Sequence, residues 1–131
     1  MARYFTLEEA AALLPEVRSI VEEIVALRGK LEEAEQSLVA LHWRARGNGH
    51  VTHEGSFAGA QVTRTELLNQ INGLIVRLRG LGVEMKDPTI GLIDFPSRRE
   101  GRVVYLCWRL GEPVIGYWHD LDAGFGGRQP L

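Results

Sequence analysis

Apolar residues recur at alternating steps of three and four along the first third of the chain: Val17, Ile20, Ile24, Leu27, Leu31, Ala34, Leu38 and Leu41. That spacing puts all of them on one seam of a helix, the pattern of a coiled coil. The helix is expected to run to about Arg46, roughly 45 Å at about 1.5 Å per residue. Ahead of it, Thr6 and Glu9 stand in capping-box spacing, so a helix opens at Leu7. Pro15 removes a donor and crowds the preceding turn. It predicts a short helix over 7–13, then a break or kink, with Pro15 in the first turn of the long helix. Arg46-Gly47-Asn48-Gly49-His50 ends that helix, because Gly and Asn accept left-handed backbone. After a connection to about Ser56 the rhythm returns in Phe57, Ala60, Arg64, Leu67, Ile71, Leu74, Leu78 and Leu81, interrupted only by Arg64. Two seams joined by a short polar loop fold back on each other as an antiparallel coiled-coil hairpin.

The stripes are wider than one seam requires. Val21, Val25 and Val39 on the first helix, with Leu68, Ile75 and Val76 on the second, are left for a sheet, a second protomer or both to cover. After Gly80-Leu81-Gly82 the period changes from 3.6 to 2. Val83-Glu84-Met85 suggests a short edge strand stopped by Asp87-Pro88. Three strands follow, over about 91–96, 102–110 and 114–120, with turns at Arg99-Glu100-Gly101 and Gly111-Glu112-Pro113. On the middle strand Val104, Leu106 and Trp108 point one way and Val103, Tyr105 and Cys107 the other. With both faces apolar the sheet is expected to be covered on both sides, which points to a homodimer. The predicted fold class is α+β, a long antiparallel helical hairpin followed by a three- to four-stranded antiparallel β-meander. It forms a single domain over 1–131, divided into 1–82 (hairpin with a short N-terminal helix) and 83–131 (meander and C-terminal tail).

Composition narrows the function. At 131 residues, 45% hydrophobic and 24% charged, the chain is an ordinary globular one. A formal net charge of −2 supplies no field to attract nucleic acid or an anionic membrane, so neither is an expected partner. There is no run of roughly 18 apolar residues and no leader-like start, and the single cysteine suits a reducing compartment; the expected location is the cytoplasm. Cys107, between Leu106 and Trp108, has the setting of a small buried strand residue rather than a nucleophile.

Chemistry concentrates near the C-terminal end. If Gly111-Glu112 is a two-residue turn, Leu106 stands opposite Tyr117 and Val104 opposite His119. If the turn before it centres near Glu100, Asp94 lies beside Leu106 on the same face. Asp94 is then a carboxylate inside an apolar strand and needs partners or a raised pKa. Asp94, Tyr117 and Arg128 are the candidate ligand-binding residues, with Arg128 available to pair with Asp94, Asp120 or Asp122. His119, Asp120 and Asp122 form the densest ligand-capable cluster, and His42 is a candidate second histidine. Imidazole with carboxylates suits a divalent metal ion, although the spacing fits no defined motif. His50 and His53 fall in a Gly-rich loop without cysteines or neighbouring carboxylates beyond Glu54 and read as a polar loop. Trp43, Arg44 and Arg46 form a small basic-aromatic tip. Gly124-Phe125-Gly126-Gly127-Arg128 matches no phosphate-binding fingerprint and suits a tail lying close against the sheet, with Phe125 as an apolar plug. No serine-histidine-aspartate elbow or paired cysteines appear.

The opening Tyr4-Phe5-Thr6-Leu7-Glu8-Glu9-Ala10 with Leu13-Leu14-Pro15 resembles a family of small bacterial proteins. So do the phrases Lys86-Asp87-Pro88, Asp94-Phe95-Pro96, Cys107-Trp108-Arg109-Leu110-Gly111-Glu112, Gly116-Tyr117-Trp118-His119 and the Gly124-to-Pro130 tail. The resemblance covers essentially the whole chain. That family is catalogued as a domain of unknown function, so it implies one domain and a bacterial source but no reaction, cofactor or site residue. The leading expectation is a non-catalytic dimeric interaction or ligand-binding module. The alternative is a metal-binding protein or metal-dependent enzyme built on His119, Asp120 and Asp122, with Asp94 and His42 in support.

Overall fold

The computed structural model describes the backbone of residues 3–48 and 54–131 and the side chains of 3–43 and 57–131. Two helices come first, α1 (Leu7–Asn48) and α2 (Glu54–Gly80). Five strands follow: β1 (Glu84–Asp87), β2 (Leu92–Arg99), β3 (Arg102–Arg109), β4 (Tyr117–Asp120) and β5 (Gln129–Pro130). A 3₁₀ turn at Phe125–Gly127 precedes β5. The strands pair in chain order and every neighbour is antiparallel. The α+β hairpin-then-meander architecture is therefore the observed one. The tail supplies a strand that the hydrophobic pattern did not suggest, because Gln129-Pro130 has too little periodicity to register. The His50 and His53 loop and the side chains of Arg44 and Arg46 lie outside the described residues.

Of the break or kink expected at Pro15, the break does not occur, and no separate short helix forms; α1 passes through it. Pro15 and Ala11, the residue whose carbonyl loses its partner, both face solvent, so that carbonyl is open to water. On the other side Ala10, Leu14 and Val17 are buried and hold the turn against the core. The capping box is present: Glu9 N–H donates to Thr6 Oγ1 at 3.1 Å, and Thr6 N–H to Glu9 Oε1 at 3.0 Å. At the same end of the hairpin, α2 stops where Gly82 takes φ 90°. Val83 N–H bonds the Leu78 carbonyl and Gly82 N–H that of Arg79, the two bonds of a Schellman stop.

The strand register departs from the expected one at both turns. Glu100 and Gly101 both have positive φ, 53° and 80°, and form a two-residue turn, so the β2–β3 hairpin centres between them. Asp94 accordingly pairs with Cys107, and Phe95 with Leu106. The β3–β4 connection is not a two-residue turn but spans 110–116. Glu112 anchors it by accepting from Arg109 N–H at 2.7 Å, while its backbone carbonyl accepts from the Trp108 indole at 2.9 Å. Tyr117 therefore faces Cys107, Trp118 faces Leu106 and His119 faces Tyr105.

One face of the sheet carries Ile93, Phe95, Val104, Leu106, Trp108 and Trp118. These form one buried cluster with Leu14, Val17, Val21 and Ile24 of α1 and Leu78 of α2. Gly91, just before β2, is packed against α1 and Leu110: a Cβ there would stand 2.9 Å from Val21 Cγ1 and 2.7 Å from Leu110 Cβ, at φ +71°. Gly91→Ala is therefore expected to lower unfolding stability in urea by about 2–4 kcal/mol, summing backbone strain and overpacking. Gly101→Ala, where a Cβ meets nothing within 4 Å at φ +80°, should lose about 1 kcal/mol. Equal losses would place the strain in the backbone alone.

Candidate metal centre

The opposite face of the sheet is where polar chemistry is buried. β2 contributes Asp94, β3 Cys107 and β4 His119, with exposures of 1%, 0% and 3%. Pairing places Asp94, Cys107 and Tyr117 in one cross-strand row, with Tyr105 and His119 in the next. Asp94 and His119 are separated by a whole strand, about 10 Å of backbone spacing. They meet because the side chain beneath them is the short one of Cys107. His119 Nε2 lies 3.0 Å from each oxygen of the Asp94 carboxylate. One donor atom from each of Asp94, Cys107 and His119 can be chosen so that all three lie within 4.8 Å of one another.

The histidine ring is oriented from behind. Its Nδ1 is 2.7 Å from the backbone carbonyl of Asp120, which can only accept, so Nδ1 carries the proton and donates. Nε2 is left facing Asp94 and Cys107. Such a pinned imidazole is the arrangement that surrounds metal-ligating histidines. Burial drives the electrostatics. It pushes the Asp94 carboxyl above its ordinary range, against the pull of the neighbouring His119. Burial, and then the Asp94 charge, push the Cys107 thiol up to about 12. A buried thiol this weakly acidic is a poor nucleophile, and His119 Nε2 faces the Asp94 carboxylate.

Two ion pairs flank the cluster. On one side the Tyr105 ring packs at a tilt of 52° against the His119 ring, centroids 5.4 Å apart, and donates its hydroxyl to Glu84 Oε1 at 3.1 Å. Lys86 pairs with the same oxygen at 2.9 Å and lies over the Tyr105 ring. On the other side Arg128 lies over Tyr117 at 4.1 Å and Phe125 at 4.8 Å, and pairs with Glu112 Oε1 at 2.6 Å. The second face of the sheet is thus covered locally by its own side chains and tail.

Of the residues singled out by sequence, Asp94 and His119 come together, and Tyr117 shares their face with its ring under Arg128. Arg128 reaches Glu112 and the Cys107 carbonyl, not Asp94, Asp120 or Asp122. Strand alternation turns the Asp120 side chain to the other face, where it pairs with Arg102 at 3.2 Å, while its carbonyl serves His119. Asp122 is exposed beyond the end of β4. His42 stands on α1 against Trp43, beside Leu38, Val39, Phe57 and Gln61, away from the sheet. Cys107 was not among the candidates. Its part is signalled only by the register, which a one-residue slip conceals.

The chain belongs to the uncharacterized conserved protein family DUF2203, whose model matches residues 3–131. No curated protein and no solved structure matches it. Among the described residues no helix is long and apolar enough to cross a membrane.

Cys107 provides a direct check on the burial. At pH 8 a thiol with a pKa of about 12 is roughly one part in 10⁴ thiolate, so alkylation by iodoacetamide should run on the order of 10³-fold slower in native protein than in urea. Comparable rates would show that the thiol is exposed or activated.

Proposed function

We propose that this DUF2203 protein binds a divalent transition-metal ion between Asp94, Cys107 and His119. The observation that carries the reading is the convergence of one oxygen, one sulfur and one nitrogen donor within 4.8 Å in a buried place, with His119 Nδ1 already tied to a carbonyl. A tetrahedral ion with bonds of about 2.0–2.3 Å holds its donors about 3.3–3.8 Å apart, so small side-chain shifts suffice. Charge points the same way. A thiolate and a carboxylate with a neutral imidazole carry two negative charges, which a divalent ion cancels, and a buried site is favourable only when its charge is compensated. A thiolate–imidazole–carboxylate set suits zinc or cobalt better than magnesium or calcium. The ion would fasten three neighbouring strands. With donors 0–3% exposed it would have no open face for a substrate, which favours binding over catalysis.

A second reading concerns partners. Val39, Trp43, Val62 and Val76 are 56–63% exposed along the hairpin, and a cleft of about 400 Å³ near its tip is lined by Leu38, Val39, His42, Trp43, Phe57 and Gln61. Exposed apolar surface of this kind suits a second copy of the chain, giving a non-catalytic homodimer. Light scattering on the eluting peak should give twice the 14.6 kDa chain mass, and Val39→Glu with Trp43→Glu should return it to one chain. A single-chain mass for the unmodified protein would end that reading.

Plasma mass spectrometry of untagged protein tests the metal. About one zinc or comparable ion per chain is expected, with loss of it in Cys107→Ser and in His119→Ala. Adding zinc at a hundredfold over its Kd should stabilise the unmodified chain by about 2.7 kcal/mol and the variants by little. A metal-free chain that zinc does not stabilise would overturn the proposal.

A further inference from the structure

The last turn of the chain enters the centre through Arg128. Its side chain is 12% exposed and packs on two rings, Tyr117 at 4.1 Å and Phe125 at 4.8 Å from the guanidinium carbon to the ring centroids. One nitrogen, Nη2, is divided between Glu112 Oε1 at 2.6 Å and the Cys107 carbonyl at 3.4 Å. Nε is buried with no hydrogen-bond partner among the described residues, an expensive way to leave an arginine donor. The same guanidinium stands against Cys107 at its carbonyl, and its charge draws the thiol pKa down against the burial that raises it.

We propose that Arg128 is the hydrogen-bond donor to the Cys107 sulfur when that sulfur is a metal-bound thiolate, which makes the C-terminal tail part of the metal centre. The inference rests on the metal reading above. A thiolate ligated to a metal still has lone pairs to accept a hydrogen bond, and outer donors of this kind tune both affinity and the metal–sulfur bond. The charged groups around the centre divide accordingly. Lys86, neutralised by Glu84, stands beside the Asp94 carboxylate, and Arg128, neutralised by Glu112, stands beside Cys107. Each anionic ligand thus has its own cation. Arg128 is a positioning residue, since it would touch the ligand and not the ion.

The plainer alternative is that Arg128 and Glu112 only pin the tail. Cobalt substitution separates the two. In cobalt-loaded full-length protein the thiolate-to-metal charge-transfer band reports the electron density on sulfur. Arg128→Met should move that band to lower energy and weaken cobalt binding on the order of 10- to 100-fold. Arg128→Lys restores a donor without the fork and should fall between; it also serves if the methionine variant does not fold. Glu112→Gln breaks the tail's ion pair but keeps Arg128, and should leave the band in place. An unmoved band in both Arg128 variants, or an equal shift in Glu112→Gln, would overturn the inference while leaving the metal site standing. No charge-transfer band in the unmodified protein would overturn both.

Discussion

The candidate site depends on the register of three antiparallel strands. Asp94 and His119 lie on strands that do not touch, and they meet only because Cys107, between them, is small. A larger residue on β3 would hold them apart, and a slip of one position on either side would send one of them to the helix-packed face. The corresponding row on that face has no room for a carboxylate: Phe95, Leu106 and Trp118 form it and are buried in the core with α1 and α2. The hydrophobic core therefore sets the register, and the register assembles the polar cluster on the other side. Glu112 contributes to both. It turns the chain between β3 and β4 and also receives Arg128.

Burial then creates the electrostatic demand that gives the cluster its chemistry. A carboxyl and a thiol removed from water are both pushed toward their neutral forms, Asp94 upward and Cys107 to about 12. The contact of His119 Nε2 with both oxygens of the Asp94 carboxylate meets part of that demand. A cation of charge two would meet the rest, because it would stabilise both anions at once and would use the Nε2 lone pair that the Asp120 carbonyl leaves directed inward. The surrounding ion pairs, Lys86 with Glu84 and Arg128 with Glu112, are each balanced and add no net charge to the pocket.

Much of the fold was legible because periodicity is a long-range signal. The seam from Val17 to Leu41 and the answering one from Phe57 to Leu81 mark two helices that pair, and the shift to period 2 after Gly82 marks the sheet. Pro15 misled because its cost depends on whether the orphaned carbonyl is wet, and Ala11 faces solvent. The site was half legible. Asp94 and His119 stand out as polar residues in apolar strands, and the sequence-based register errs by one residue at each of two turns. The errors compensate, so Asp94, Tyr117 and His119 still share a face, but their neighbour on β3 changes from Leu106 to Cys107. Asp120 and Asp122 attracted notice as ligand-type residues next to His119, yet alternation along β4 and the end of the strand carry them elsewhere. Turn length is a local detail that hydrophobic patterning does not resolve, and here it decides which residue completes the cluster.

The most direct test of the centre is the ligand shell itself. Extended X-ray absorption at the zinc edge of zinc-loaded protein should show a single sulfur at about 2.3 Å together with nitrogen and oxygen neighbours at about 2.0–2.2 Å. The sulfur shell should disappear in Cys107→Ser. A bound zinc surrounded only by nitrogen and oxygen would contradict the assignment of Cys107, and with it the buried triad as the site.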